Sequence, residues 1–253
     1  MSQRTDLPKS LVLLASGRGS NAEAVLRAVA EGTISAEVRG IVSDRRSAKA
    51  LELGPRYALP TRVVRPRDYP DRETWDEALG EVLTDLDADL VVLAGFMRIL
   101  GNGVLRGRER RIINVHPSLL PAFPGAHGPE AALAAGVRIS GCTVHLVDAG
   151  VDTGPILAQA AVPVLPGDTA STLHKRIQST EHRLLPAVLG WITRGELSLA
   201  NASLGGTSHT DASQTDASHP DALQNDASAI PSGSPNAEGG QVLFSPSPSP
   251  EGP

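Results

Sequence analysis

Asn114 and His116 stand two residues apart at the end of the apolar run Ile112-Ile113, and Pro117, Pro121 and Pro124 follow closely. On an extended chain that spacing turns both side chains to one side. An amide held there can donate to an oxygen that gains negative charge, and an imidazole beside it can donate or shuttle a proton. A lone histidine at a strand end is more often a satisfied structural residue. The neighbouring amide, and prolines that stiffen the loop and restrict His116 itself, shift the reading toward carbonyl chemistry.

A carboxylate would complete such a pair. The segment Asp148-Ala149-Gly150-Val151-Asp152-Thr153-Gly154-Pro155 is polar and tight, as turns between strands are. If Asp152 reached His116, it would stabilise the imidazolium and keep a general acid protonated. A third segment, Ser16-Gly17-Arg18-Gly19-Ser20-Asn21, follows the apolar run Leu11–Leu14. Glycines there let the backbone approach an anion, and a helix start supplies N–H groups and a favourable dipole. The same residues, with Ala22, satisfy the short dinucleotide fingerprint, and Asp44 follows the next apolar run where a ribose-binding acid would sit. A phosphate cradle, an NAD(P) site and a plain tight turn stand open on this loop alone.

The elements that would position these residues alternate. Apolar runs predict strands at 11–14, 38–42, 62–64, 90–94, 112–115, 142–147 and 156–164, the last two near a sheet edge. Helices are expected from Ser20 to Ala30 with Ser20 or Asn21 as N-cap, over 46–53 ending at Gly54-Pro55, over 71–86, over 128–135, and from Asp168 or Thr169 onward with a kink at Pro186. Within 71–86, Trp75, Ala78, Leu79, Val82, Leu83 and Leu86 fall on one stripe. Repeated β-α-β order predicts an α/β fold, a mostly parallel twisted sheet with helices on both faces, whose ligands bind beyond the C-terminal strand ends.

Composition narrows the function classes. The chain has 253 residues, one cysteine and no apolar run near the ~20 residues that cross a bilayer. Disulfide scaffolds, multi-cysteine metal sites and membrane spans are excluded, and a cytoplasmic location is expected, no signal-peptide pattern being visible. Residues 201–253 hold six of the 28 acids and no Lys or Arg, so the remainder is close to neutral. That balance, with 3% aromatic residues, gives no sign of nucleic-acid binding and points to small-molecule substrates. Periodicity stops near 198. Residues 199–253 read as a disordered, low-complexity acidic tail, with a five-residue echo over 211–228 and one apolar cluster, Gln241–Phe244, beside a catalytic domain at 1–198.

The segments LVLLASGRGSN, VVLAGFMRIL, INVHPSLLPAFPGAHG, TVHLVDAGVDTGPI and VPVLPGDTASTLHKRIQSTEH occur in that order across residues 9–195. Together they resemble the phosphoribosylglycinamide formyltransferases. The resemblance implies a Rossmann-like formyltransferase domain that moves a formyl group from 10-formyltetrahydrofolate, as co-substrate, to the amine of glycinamide ribonucleotide in purine biosynthesis, with no metal and no NAD. It implies Asn114, His116 and Asp152 as the catalytic trio. It implies Gly19, Ser20, Asn21, Gln178 and Glu181 at the ribonucleotide, and Arg72, Met97, Arg98, Ile99, Leu100, Asn114 and Asp148 at the folate. Thr143 and His145 match polar positions near the site. Thr153 stands where many members have glycine, which would stiffen the loop, and the segment after about residue 195 is an addition.

Neighbouring readings differ in what surrounds the same catalytic residues. A methionyl-tRNA formyltransferase would carry a folded RNA-binding domain in place of the acidic tail. A formyltetrahydrofolate deformylase would carry a regulatory domain before the first strand. An NAD-dependent oxidoreductase would use the glycine loop and Asp44, and a non-catalytic relative would lack the trio.

Overall fold

The computed structural model describes residues 7–200 and residue 202; the rest of the acidic tail, with its repeat and the Gln241–Phe244 cluster, lies outside the described residues. Seven strands form one sheet: β1 (Ser10–Leu14), β2 (Glu37–Ser43), β3 (Thr61–Val63), β4 (Leu90–Leu93), β5 (Ile112–His116), β6 (Ile139–Leu146) and β7 (Ile156–Pro163). Their order is β3-β2-β1-β4-β5-β6-β7. The first five run parallel, whereas β6 and β7 are antiparallel to their neighbours and β7 is an edge.

Side-chain alternation explains why both sheet faces are covered. In β1, Leu11 and Leu13 join one core with α1 (Ser20–Ala30) and α6 (Ala170–Thr193), while Val12 and Leu14 join the other with α3 (Arg72–Asp85). Leu90 and Val92 of β4 divide from Val91 and Leu93 in the same way. Trp75 of α3 is 1% exposed and donates its indole N–H to the Val64 carbonyl at 2.9 Å, so its polar atom is satisfied within the core. Fully burying a side chain of the Leu or Val class contributes roughly 1.5–3 kcal/mol. The two cores thus fix the strand ends from which the functional loops emerge.

Local departures from the sequence expectations have identifiable causes. Gly19, not Ser20 or Asn21, caps α1, with φ +79°. A side chain at 19 would meet the Ala50 Cβ at 2.6 Å, so both the dihedral and the packing demand glycine there. The helix expected over 46–53 is a 3₁₀ turn, Lys49–Glu52, that leads into α2 (Leu53–Arg56) and includes Gly54-Pro55. Proline is tolerated in a first turn because its missing N–H has no partner to lose. One helical turn, α4 (Asn102–Leu105), has no period to announce it; the buried Asp76 carboxylate holds it by accepting from the N–H groups of Gly101 at 2.7 Å and Val104 at 3.1 Å. The short helix α5 (Gly128–Ala134) lies where expected. Thr169 caps α6 through a reciprocal bond with Thr172, and the helix is continuous through Pro186. Contacts run past position 198: Leu199 and Ala202 pack on the core, and Arg110 donates to the carbonyls of Leu199, Ala200 and Ala202.

Candidate active site

The chain order reverses between β1 and β4, and the loops after β1, β4 and β5 open there onto a cavity of about 720 Å³. Such a crevice beyond the strand ends is the usual ligand position in an open α/β sheet. Asn114, His116, Asp152, Gly19, Ser20, Asn21, Gln178, Glu181, Met97, Arg98, Ile99, Leu100 and Asp148 all line it. Arg72 does not. Its guanidinium donates to the Ile99 carbonyl and stacks over the Trp75 ring at 5.1 Å, facing an adjoining groove that shares Ile99 and Leu100.

At the centre, β5 delivers Asn114 and His116, and the loop after β6 delivers Asp152. His116 is 4% exposed. Its Nδ1 lies 3.3 Å from Asp152 Oδ2, and its Nε2 donates to the Phe123 carbonyl at 3.0 Å. An imidazolium here has an acceptor for each of its two protons, and its charge faces a carboxylate. Asp152 adopts φ +56°, an uncommon conformation for a residue with a side chain. It is secured from both sides. Its Oδ2 accepts the Gly125 N–H at 2.8 Å, and Asp148 Oδ1 ties the loop by accepting from the Gly150 N–H at 3.0 Å and the Thr153 hydroxyl at 2.7 Å.

His145 has a larger part than the sequence assigns it. It is buried on β6, directly across the ladder from Asn114. Its Nδ1 donates to the Leu146 carbonyl at 2.9 Å. Burial drives its pKa down, outweighing the opposing pull of that carbonyl and of Asp152. The neutral ring therefore keeps Nε2 bare, and Nε2 accepts from the Asn114 Nδ2 at 3.1 Å. Asp152 Oδ1 lies 3.6 Å from that bare nitrogen, beyond a hydrogen bond. His145 thereby fixes which way the Asn114 amide points.

The glycine-loop side is also buried and polar. Asn21 Nδ2 donates to Glu181 Oε2 at 2.9 Å, joining α1 to α6. Burial raises the Glu181 pKa, with the Asn21 bond opposing. Asn21 Oδ1 is enclosed without a partner beside the cavity, an orphaned acceptor of the kind a ligand donor satisfies. Asp44 is differently employed than the dinucleotide reading requires. Its carboxylate is buried and receives Arg98 Nε at 2.8 Å and Arg45 Nε at 3.3 Å. Burial alone would raise its pKa, but Arg98, Ser16 and Arg45 together hold it below the usual carboxylate range. An acid so engaged has no free oxygen pair for a ribose diol. Ser16, in turn, accepts the Met97 N–H at 2.9 Å, joining the glycine loop to the 97–100 segment. Among the described residues no group of three or more His, Cys, Asp or Glu side chains could hold a metal, and no helix is long and apolar enough to cross a membrane.

The sequence and fold are similar to those of proteins of known class. Residues 9–189 match the formyl transferase family model. A phosphoribosylglycinamide formyltransferase of Mycobacterium tuberculosis (strain H37Rv) is 51% identical over 182 residues, 72% of this chain and 84% of the relative. One from Bacillus subtilis is 40% identical over 192 residues, 74% of this chain and 98% of the relative. The crystal structure of glycinamide ribonucleotide transformylase 1 from Symbiobacterium toebii superposes with a TM-score of 0.74 at 43% identity, covering 79% of this chain and 93% of the other. With its sequence and its overall fold both matching over most of its length, the chain belongs to the formyl transferase family.

Proposed function

We propose that this chain transfers the formyl group of 10-formyltetrahydrofolate to the amine of glycinamide ribonucleotide, a step of purine biosynthesis. The observation that carries the reading is the convergence of Asn114, His116 and Asp152, from two separate segments, at one cavity. The cavity suits two ligands of different chemistry. Toward the 97–100 segment, Met97 and Ile99 expose 67% and 56% of their surface, and Val151 across the cavity exposes 47%. Flat apolar groups of a folate would cover them, with Arg98, Leu100 and Asp148 beside them and Arg72 acting on the segment from behind. Toward the glycine loop, Gly19, Ser20, Asn21, Gln178 and Glu181 offer the donors and acceptors a phosphorylated amine requires.

The formyl folate supplies a carbonyl activated for transfer. Asn114, its amide held by His145, donates to the carbonyl oxygen as that oxygen gains charge. The acceptor amine forms its bond to the formyl carbon, and the N10–formyl bond then breaks to release tetrahydrofolate. His116 stabilises the oxyanion between these steps and carries the proton lost by the attacking nitrogen to N10. Its Nε2 proton rests on the Phe123 carbonyl, so donation toward substrate requires that contact to yield. Asp152 holds the ring through Nδ1 and balances its charge while it does so. A spectrophotometric assay with 10-formyltetrahydrofolate, run with and without glycinamide ribonucleotide, tests the reading. Turnover that requires the ribonucleotide is expected. Equal turnover with water alone would make the chain a deformylase.

A further inference from the structure

Arg18 stands between Gly17 and Gly19 and lines the cavity, yet neither the family-derived site residues nor the mechanism above uses it. Its situation differs from that of the other arginine on the cavity wall. Arg98 is neutralised by the buried Asp44 carboxylate. Arg18 is exposed, and the described structure gives it one hydrogen bond, from Nη2 to the neutral Gln178 Oε1 at 3.3 Å. Two acids of the adjoining helices α1 and α6 are engaged elsewhere. Glu23 pairs with Arg56 at 2.8 Å, and Glu181 is buried against Asn21. A second, independent observation points to a ligand beside this loop: the 93% buried Asn21, which lines the cavity, has an enclosed Oδ1 without a partner, an acceptor suited to a hydroxyl of the attached ribose and not to the phosphate itself.

We propose that Arg18 makes this site selective for a phosphate monoester, closing from Gln178 onto the phosphate held by the glycine loop. This rests on the proposed acceptor only in that the acceptor carries a phosphate. A guanidinium presents a rigid fork that matches two phosphate oxygens and adds a full positive charge, which backbone N–H groups do not carry. Its resting contact is one long bond to a neutral amide, so little is lost when it leaves. Its neighbours in the chain, Gly17 and Gly19, carry no side chains to obstruct that movement. Gln178 then serves as the resting place of Arg18 as well as a ligand of the acceptor.

Calorimetric titration of the full chain with ribose 5-phosphate tests this without relying on turnover. Relative to the wild type, Arg18→Gln should bind about 10- to 100-fold more weakly, as loss of a charge-assisted pair does. Arg18→Lys should recover part of the affinity through charge alone, and the wild-type advantage should shrink as salt rises. In the formyl-transfer assay the same factor should fall on KM for the ribonucleotide and not on KM for the folate, with the melting temperature unchanged. Undiminished binding by Arg18→Gln, no ribose 5-phosphate binding by the wild type, or an equal rise in both KM values would overturn the proposal. Arg18-dependent binding of ribose 5-phosphate without formyl transfer to glycinamide ribonucleotide would instead refute the proposed acceptor and leave this inference standing.

Discussion

Two histidines of similar burial do opposite work because their hydrogen-bond partners differ. His116 faces two acceptors, a carbonyl and a carboxylate, whereas His145 faces a carbonyl on one side and an amide donor on the other. Removing Asn114 or His116 should therefore lower kcat by roughly 100- to 1,000-fold, the usual effect of losing one oxyanion donor, with little change in either KM. Near-normal turnover in His116→Ala would remove it from the mechanism. His145→Phe keeps a ring but deletes the acceptor that orients Asn114, so kcat should fall about tenfold or more, and less than in Asn114→Ala. Because burial lowers the His145 pKa, its ring stays neutral until the pH drops below the ordinary imidazole value; only there does protonation of Nε2 take the acceptor away. The acid limb of the wild-type kcat profile should lose that component in His145→Phe, and profiles of identical shape would contradict it.

At the scale of elements, the sequence disclosed what is local and hid what is not. The alternation in β1 and β4, the stripe of α3 and the spacing that sets Asn114 beside His116 are contiguous, so these features were legible in the sequence. The Gly19 cap was not, because its cause is Ala50 from a distant turn. Nor was the use of Asp44, whose partner Arg98 is 54 residues away, or the meeting of Asn21 with Glu181 across 160 residues. Arg72 was placed at the folate from resemblance alone, and only the fold shows it reaching that segment through the Ile99 carbonyl. Thr153→Val removes the hydroxyl that ties Asp148 and so loosens the support under Asp152. A lost hydrogen bond of about 0.5–1.5 kcal/mol corresponds to a roughly 2- to 13-fold drop in kcat, and Thr153→Ser should restore it. Equal kcat in the Val and Ser variants would show that the tie does not matter.

For the whole molecule, the buried Glu181 sets function against stability. Its folded pKa is raised above the ordinary 4.5, so the protonated form is the one folding favours. That stabilising contribution is complete below about 4.5 and is lost as the pH rises through the folded value. Glu181→Gln cannot ionise, and its amide oxygen can still accept from Asn21. Its melting temperature should gain on the wild type as pH climbs from 4 to 8, while its affinity for the ribonucleotide falls. A gap in melting temperature that is constant with pH would show that burial does not strain this carboxylate. If one cavity joins a formyl donor to a phosphorylated amine through Asn114 and His116, a labelled formyl carbon must pass between them. A single-turnover reaction with 13C-formyl-labelled tetrahydrofolate and glycinamide ribonucleotide, read by mass spectrometry of the products, follows that carbon. The expected result is label on the ribonucleotide amine with the wild type and almost none with the Asn114→Ala, His116→Ala double variant; label released as free formate, or transferred equally well by both proteins, would contradict it.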